Sequence, residues 1–160
     1  MDVRIATKED ADLLVAHIND AYRVEEFCIK GSRTDRDDIL QLMEGGFFFV
    51  CDRNGGSFSV SAYVTISGKR GYFGMLAVRE LDRGKGMGVQ MISFIEDYCR
   101  TKGCLFLDIT VVSVRKELFP FYERLGFAPY DISPFPNPEA MILPLHFVKM
   151  CKPLYATSML

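Results

Sequence analysis

The sequence predicts one α/β domain built on a mixed, mostly antiparallel, twisted sheet flanked by helices. Three observations lead there. The 160 residues suit one domain, given a usual size of roughly 100–200 residues. Three strand-like runs joined by short turns fill residues 47–78, the pattern of an antiparallel meander. A helix-period segment then separates the last of these runs from a further one, which predicts a parallel crossover.

Val3-Arg4-Ile5 opens the chain as a short strand. Thr7 with Asp10 after it is a helix-start signature, and Leu13, Leu14, His17, Ile18 and Ala21 recur at helical spacing. Residues 22–33 follow no single period. Thr34 then caps a second helix over residues 35–44, with Ile39, Leu42 and Met43 turned inward and Gly45-Gly46 stopping it. Phe47-Phe48-Phe49 begins a continuous apolar strand that reads as core. Asp52-Arg53-Asn54-Gly55-Gly56 is turn chemistry. Apolar and polar residues alternate from 57 to 67, so that strand should bury one face only. After a second turn comes a strand over 72–78, then a charged, glycine-rich link.

The helix that follows spans about residues 86–102, lined by Met91, Ile92, Ile95, Tyr98 and Cys99. Residues 105–112 form a β-branched strand expected to lie parallel to 72–78. A short helix over 117–125 must hold Pro120 in its first turn, where no helical hydrogen bond is lost. Strand resumes over 127–130, residues 134–138 read as a loop, and 143–152 as the last strand. The domain is expected over residues 1–153, with a C-terminal tail over 154–160.

Apolar types make up 49% and charged types 25%, which excludes a disordered chain. Nineteen basic against twenty-one acidic residues give a net charge of -2, which argues against nucleic acid or an anionic membrane as partner. No stretch reaches the roughly 20 apolar residues of a membrane span. Met1-Asp2-Val3-Arg4 lacks the charged-then-apolar order of a signal peptide. Cys28, Cys51, Cys99, Cys104 and Cys151 are an odd set with no C-x-x-C pair, so reduced thiols are expected. With only His17 and His146 beside them, no metal site is expected. Ser158-Met159-Leu160 resembles a peroxisomal S-K-L ending but lacks its basic residue, so the cytoplasm is the expected compartment.

The most informative stretch is the link itself, Arg83-Gly84-Lys85-Gly86-Met87-Gly88-Val89, entered from the strand end Leu76-Ala77-Val78. Absent side chains let an anion approach the backbone, and the free N–H groups of a helix start point at it. The physical expectation is a phosphate or diphosphate on this turn, with Arg83 and Lys85 as counter-charge. A P-loop is excluded, because Gly84-Lys85 is followed by Gly86 and Gly68-Lys69 by Arg70. A dinucleotide fingerprint would need glycine at Val89 or Met91, and an early parallel βαβ unit. A coenzyme A site is the third reading.

Arg83-Gly84-Lys85-Gly86-Met87-Gly88 resembles the acetyl-CoA signature R/Q-x-x-G-x-G/A of the GCN5-related N-acetyltransferases, the GNAT superfamily. Phe121-Tyr122-Glu123-Arg124-Leu125-Gly126-Phe127 resembles that family's second cofactor motif, FYxxxGF, and the order of elements matches over nearly the whole chain. The resemblance implies the GNAT fold and transfer of acetyl from acetyl-CoA to a primary amine by direct attack in a ternary complex. An idle CoA-binding or sensing domain is the alternative. It further implies a diphosphate on the N–H groups from Arg83 to Val89, pantetheine paired along Leu76, Ala77 and Val78, and Phe121 beside the cofactor.

Tyr122 is then the candidate acid for the departing thiolate, with ring packing on pantetheine as the competing role. Many relatives carry asparagine seven residues before this tyrosine. Arg115 stands there, either reaching a phosphate or lying as a solvated charge. Glu25 and Glu26, between the first two helices, are the candidate bases for the arriving amine, against a solvated acidic face. His17 and His146 read as structural. The acceptor is expected to be a small-molecule or peptide amine.

Overall fold

The computed structural model describes residues 1–155. Ser158-Met159-Leu160, compared above with a targeting signal, lies outside the described residues. The Thr7 N–H donates to Asp10 Oδ2 at 2.7 Å, and one 3-10 turn over Lys8–Asp10 runs into α1, Ala11–Ala21. α1 buries Ala11, Leu14, Ile18 and Ala21, while Leu13 falls off this stripe and is exposed. A further 3-10 turn, Tyr22–Glu25, prolongs it.

α2, Arg36–Gly45, is capped by Asp35 and not by Thr34. The Asp35 carboxylate accepts the Asp38 N–H at 2.8 Å, and Thr34 Oγ1 donates to Asp38 Oδ2 at 2.6 Å from outside the helix. Gly46 ends the helix by a different means from the expected left-handed cap. Its φ is -170°, and a Cβ there would come within 2.5 Å of the Val64 carbonyl oxygen. Close approach of two backbones therefore demands glycine here.

Seven strands among the described residues form one sheet. β1 (Val3–Ile5), β2 (Phe47–Arg53), β3 (Ser57–Ser67) and β4 (Arg70–Val78) are successive antiparallel neighbours. α3, Met87–Thr101, leads to β5 (Phe106–Val112), parallel to β4 as the crossover requires. α4, Leu118–Arg124, keeps Pro120 in its first turn. The chain then forms β6 (Ala128–Pro134) and returns as β7 (His146–Pro153), which slots between β5 and β6. β6 extends through Pro134, where a loop was expected, because that residue pairs with His146.

The two faces of the sheet carry separate cores. Val60, Ala62, Val64 and Phe73 pack with Met91, Ile92, Ile95 and Cys99 of α3. Phe48, Val50, Tyr63 and Ala77 pack with Leu14 and Ile18 of α1 and Ile39 of α2. The alternation in β3 therefore does not mean one wet face. Ser59, Ser61 and Tyr63 are buried too, and the Tyr63 hydroxyl donates to the Leu42 carbonyl at 2.6 Å. Phe58 also departs from the pattern. Cys51 pairs with Val60 and Asp52 with Phe58, so a bulge at Ser59 moves Phe58 into the α1 layer.

Phe48 and Phe49 are core residues, as expected. Packing also continues past residue 153: Leu154 is buried, its N–H donating to the Leu105 carbonyl at 2.8 Å, and the Tyr155 ring meets Phe106 edge-on. The cysteines are free thiols, buried except for the partly exposed Cys151. Among the described residues no helix is long and apolar enough to cross a membrane.

Candidate active site

β4 and β5 stay together for only three residue pairs, Arg70 with Phe106, Gly71 with Leu107 and Tyr72 with Asp108. Beyond that point β5 remains bonded to β7 as far as Val112, and β4 remains bonded to β3. The parting begins at a bulge. Ser61 pairs with Ala77 but Tyr63 with Gly74, so β4 carries an extra residue, and Met75 takes φ 52°, a left-handed conformation rare outside glycine. The edge of β4 over 73–78 consequently faces β5 with no strand partner among the described residues. Its N–H and C=O groups are open to a ligand that can hydrogen-bond. A cavity of about 810 Å³ occupies the gap, walled by Leu76 and Val78 on one side and by Thr110, Phe121 and Tyr122 on the other.

The glycine turn continues from this cavity. Arg83 lines it, and a Cβ at Gly88 would lie in ordinary contact with the Val78 and Leu76 side chains, at 3.6 and 3.9 Å. Gly84 and Gly86 have φ of 78° and 76°, and Gly86 is the N-cap of α3. A Cβ at Gly84 would meet nothing within 4 Å, and at Gly86 only Gln90 Nε2 at 4.0 Å. The space a side chain would take at these two positions is thus open, while the Arg83 N–H, expected to be a free donor, is already given to the Glu80 carbonyl at 3.2 Å. The two cations of the turn are held by the protein itself: Lys85 Nζ donates to Asp82 Oδ1 at 3.2 Å and the Arg83 guanidinium to the Ala21 carbonyl at 3.3 Å.

Asp82, which the sequence reading passed over, is buried and also accepts from Arg79 Nε at 3.0 Å. Its signal was an acid three residues from each of Arg79 and Lys85. Met87 packs against the α3 core, and Val89 is exposed. Ala77 turns away from the cavity into the α1 core, where its carbonyl accepts from His17 Nε2 at 3.0 Å. Burial lowers the pKa of His17, the bond to Ala77 opposing. His146 is exposed, its backbone N–H bonded to Ser113 Oγ.

At the other end, residues 28–30 are tied to 140–142 by main-chain bonds. Lys30 N–H donates to the Ala140 carbonyl and Ile142 N–H to the Cys28 carbonyl, both at 2.8 Å. Tyr22, Tyr72 and Tyr122 all line the cavity here. Burial raises each phenol, Tyr122 to about 12, with the Arg115 charge opposing. Arg115 and Glu25 find each other: Nη1 to Oε2 is 2.8 Å, and their side chains are only 14% and 11% exposed. Arg115 also bonds Glu117 at 2.6 Å. Its charge is therefore neither solvated nor free, and Glu25 is not part of a solvated face. Glu26 is exposed, with Arg23 at 3.6 Å.

A sequence profile of the Acetyltransferase (GNAT) family matches residues 14–127. The chain belongs to that family. With membership come acyl transfer as the reaction class and acetyl-CoA as co-substrate. Solved structures agree on the GNAT fold. Smu.2055 from Streptococcus mutans UA159 superposes with a TM-score of 0.78 at 18% identity, over 97% of this chain and 100% of that one. The ribosomal-protein-S18-alanine N-acetyltransferase from Escherichia coli gives 0.73 at 16% identity, over 98% and 95%. YncA from Salmonella typhimurium, solved with its cofactor acetyl-CoA, gives 0.71 at 19% identity, also over 98% and 95%. At these identities the likeness is one of fold. Comparison with curated protein sequences gives no match.

Proposed function

We propose that the protein moves the acetyl group of acetyl-CoA to a primary amine by direct attack within a ternary complex. One observation carries the reading: the bare edge of β4 runs along the cavity into a turn whose Gly84 and Gly86 leave the amides open. That shape fits an extended, amide-bearing arm ending in a diphosphate. The diphosphate would take the N–H groups from Gly84 to Val89 at the positive end of α3, the Arg83 N–H being given to the Glu80 carbonyl at 3.2 Å. The pantetheine arm would add to β4 at Leu76 and Val78 as a further strand, with Phe121 against it. Among the described residues no cysteine lines the cavity, which favours direct transfer over a thioester on the enzyme.

Bound acetyl-CoA supplies an acyl group activated as a thioester. The main-chain N–H at Leu76 would stabilise the charge that develops on the carbonyl oxygen. The acceptor nitrogen attacks the carbonyl carbon, the C–N bond forms and the C–S bond breaks. Tyr122 gives its proton to the leaving sulfur; with its pKa pushed up to about 12 it is protonated at neutral pH and able to donate. Glu26 receives the proton that the acceptor ammonium must first lose. Glu25, engaged by Arg115, holds the wall beside it.

Thiol release from acetyl-CoA over a panel of amines tests the reading, alongside calorimetric binding of acetyl-CoA in competition with NAD and ATP. Amine-dependent release, and binding that neither nucleotide displaces, are expected. Binding without amine-dependent release would leave a CoA-binding domain, and displacement by ATP or NAD would assign the turn to another nucleotide.

A further inference from the structure

We propose that the acceptor is a small amine carrying its own carboxylate, an amino acid or close analogue, and that Arg33 receives that carboxylate. The inference rests on the acetyl-transfer reading and specifies its acceptor.

Six charged side chains line the cavity: Glu25, Glu26, Lys30, Arg33, Arg83 and Arg115. Arg83 belongs to the turn. Glu25 and Arg115 cancel each other at 2.8 Å, and Glu26 lies 3.6 Å from Arg23. Lys30 and Arg33 have no carboxylate within 4.0 Å among the described residues, so the acceptor end holds two cations with no direct acidic partner. The Arg33 guanidinium lies 5.2 Å over the ring of Tyr22. Stacking of this kind fixes the side chain without neutralising it. Its charge also reaches inward, opposing the burial that raises Tyr22 and Tyr72.

Acceptor classes separate on this pattern. A polyamine or aminoglycoside would bring several ammonium groups against Lys30 and Arg33. A peptide amine has no carboxylate beside its nitrogen. An amino acid presents one charge of each sign, its carboxylate matching the planar two-donor edge of a guanidinium and its ammonium matching Glu26. Phe135 and Phe147, packed edge to face at 5.3 Å, line the same end and suit an apolar side chain.

The experiment begins with calorimetric binding of acetyl-CoA, then compares acetylation of methionine, leucine and phenylalanine with that of their amides, their decarboxylated amines and spermidine. Free amino acids should exceed their amides by at least about 10-fold in kcat/KM, the worth of a charge-assisted hydrogen bond. Arg33→Gln should erase that ratio, lowering kcat/KM about 10- to 100-fold for the acids and less than about 3-fold for the amides. Arg33→Lys should restore part of it. Equal or better turnover of amides or spermidine overturns the proposal, as does an equal loss on acids and amides in Arg33→Gln. Acetyl-CoA binding with no acetylation of any amino acid overturns it as well. Failure to bind acetyl-CoA would instead remove the acetyl-transfer reading, and this inference with it.

Discussion

At the turn end of the cavity the groups we propose for a ligand are main-chain amides, next to Gly84 and Gly86 at φ 78° and 76°. At the acceptor end they are side chains, Tyr22, Glu26, Arg33 and Tyr122, delivered by segments from distant parts of the chain. A backbone site depends on a few consecutive residues and tolerates loss of neighbouring charge. A side-chain site depends on how separate segments meet, and each pairing in it matters. Substitutions at the two ends should therefore fail in different ways.

The largest effect belongs to Gly86. A valine there forces a β-branched residue into the left-handed region, which costs about 1–2 kcal/mol, while its side chain projects into space now open. Gly86→Val should remain folded by circular dichroism yet lose acetyl-CoA affinity about 1,000-fold by calorimetry, the equivalent of two charge-assisted bonds. Unchanged affinity would mean that the turn holds no anion, and the contrast between the ends would disappear.

Next is the Glu25–Arg115 pair. Arg115→Met leaves a buried carboxylate without its partner, at a cost of about 3 kcal/mol in chemical denaturation. The double variant Glu25→Leu, Arg115→Met should recover most of that, because two apolar groups need no mutual compensation. If the single variant loses acetyl-CoA affinity with no loss of stability, Arg115 reaches the cofactor after all.

A smaller change is expected at Tyr122. Tyr122→Phe should lower kcat about 10- to 100-fold and leave acetyl-CoA affinity within about 3-fold. Equal losses in both would reduce the residue to packing. The pH profile gives a second check. Because burial raises this phenol from 10.0 to about 12, the proton-bearing acid persists above the ordinary value and is lost only as pH climbs through the higher one. The alkaline fall in kcat assigned to Tyr122 should therefore lie near 12.

The same contrast explains what could be read from sequence. The strand, the glycine turn and the helix after it are contiguous, and so is Phe121-Tyr122 with its following Gly126-Phe127; short-range spacing records them. The meander and the crossover were legible because turns and periods are local. β3 misled because Ser59 and Ser61 are polar enough to imitate a wet face and small enough to be buried. The bulges at Ser59 and Met75 leave no mark in composition. Glu25 and Arg115 are ninety positions apart, and only the folded sheet brings them to 2.8 Å. Tyr22 and Arg33 sat in the one stretch without a period, where side chains serve a cavity and not a core.

The smallest expected change tests the turn at its own side chains. Lys85 adjoins Gly86 in the same motif, yet its side chain is 62% exposed and already bonded to Asp82. With the cation this exposed the pair is well screened although Asp82 is buried, and the long-range attraction of Lys85 for a diphosphate is screened by salt. Lys85→Ala should weaken acetyl-CoA binding about 3-fold at low ionic strength. The difference should vanish at about 1 M salt, where the Debye length is about 3 Å. A 10-fold loss that survives salt would mean that Lys85 leaves Asp82 to hold a phosphate directly, and the turn would then join the acceptor end as a site made by side chains.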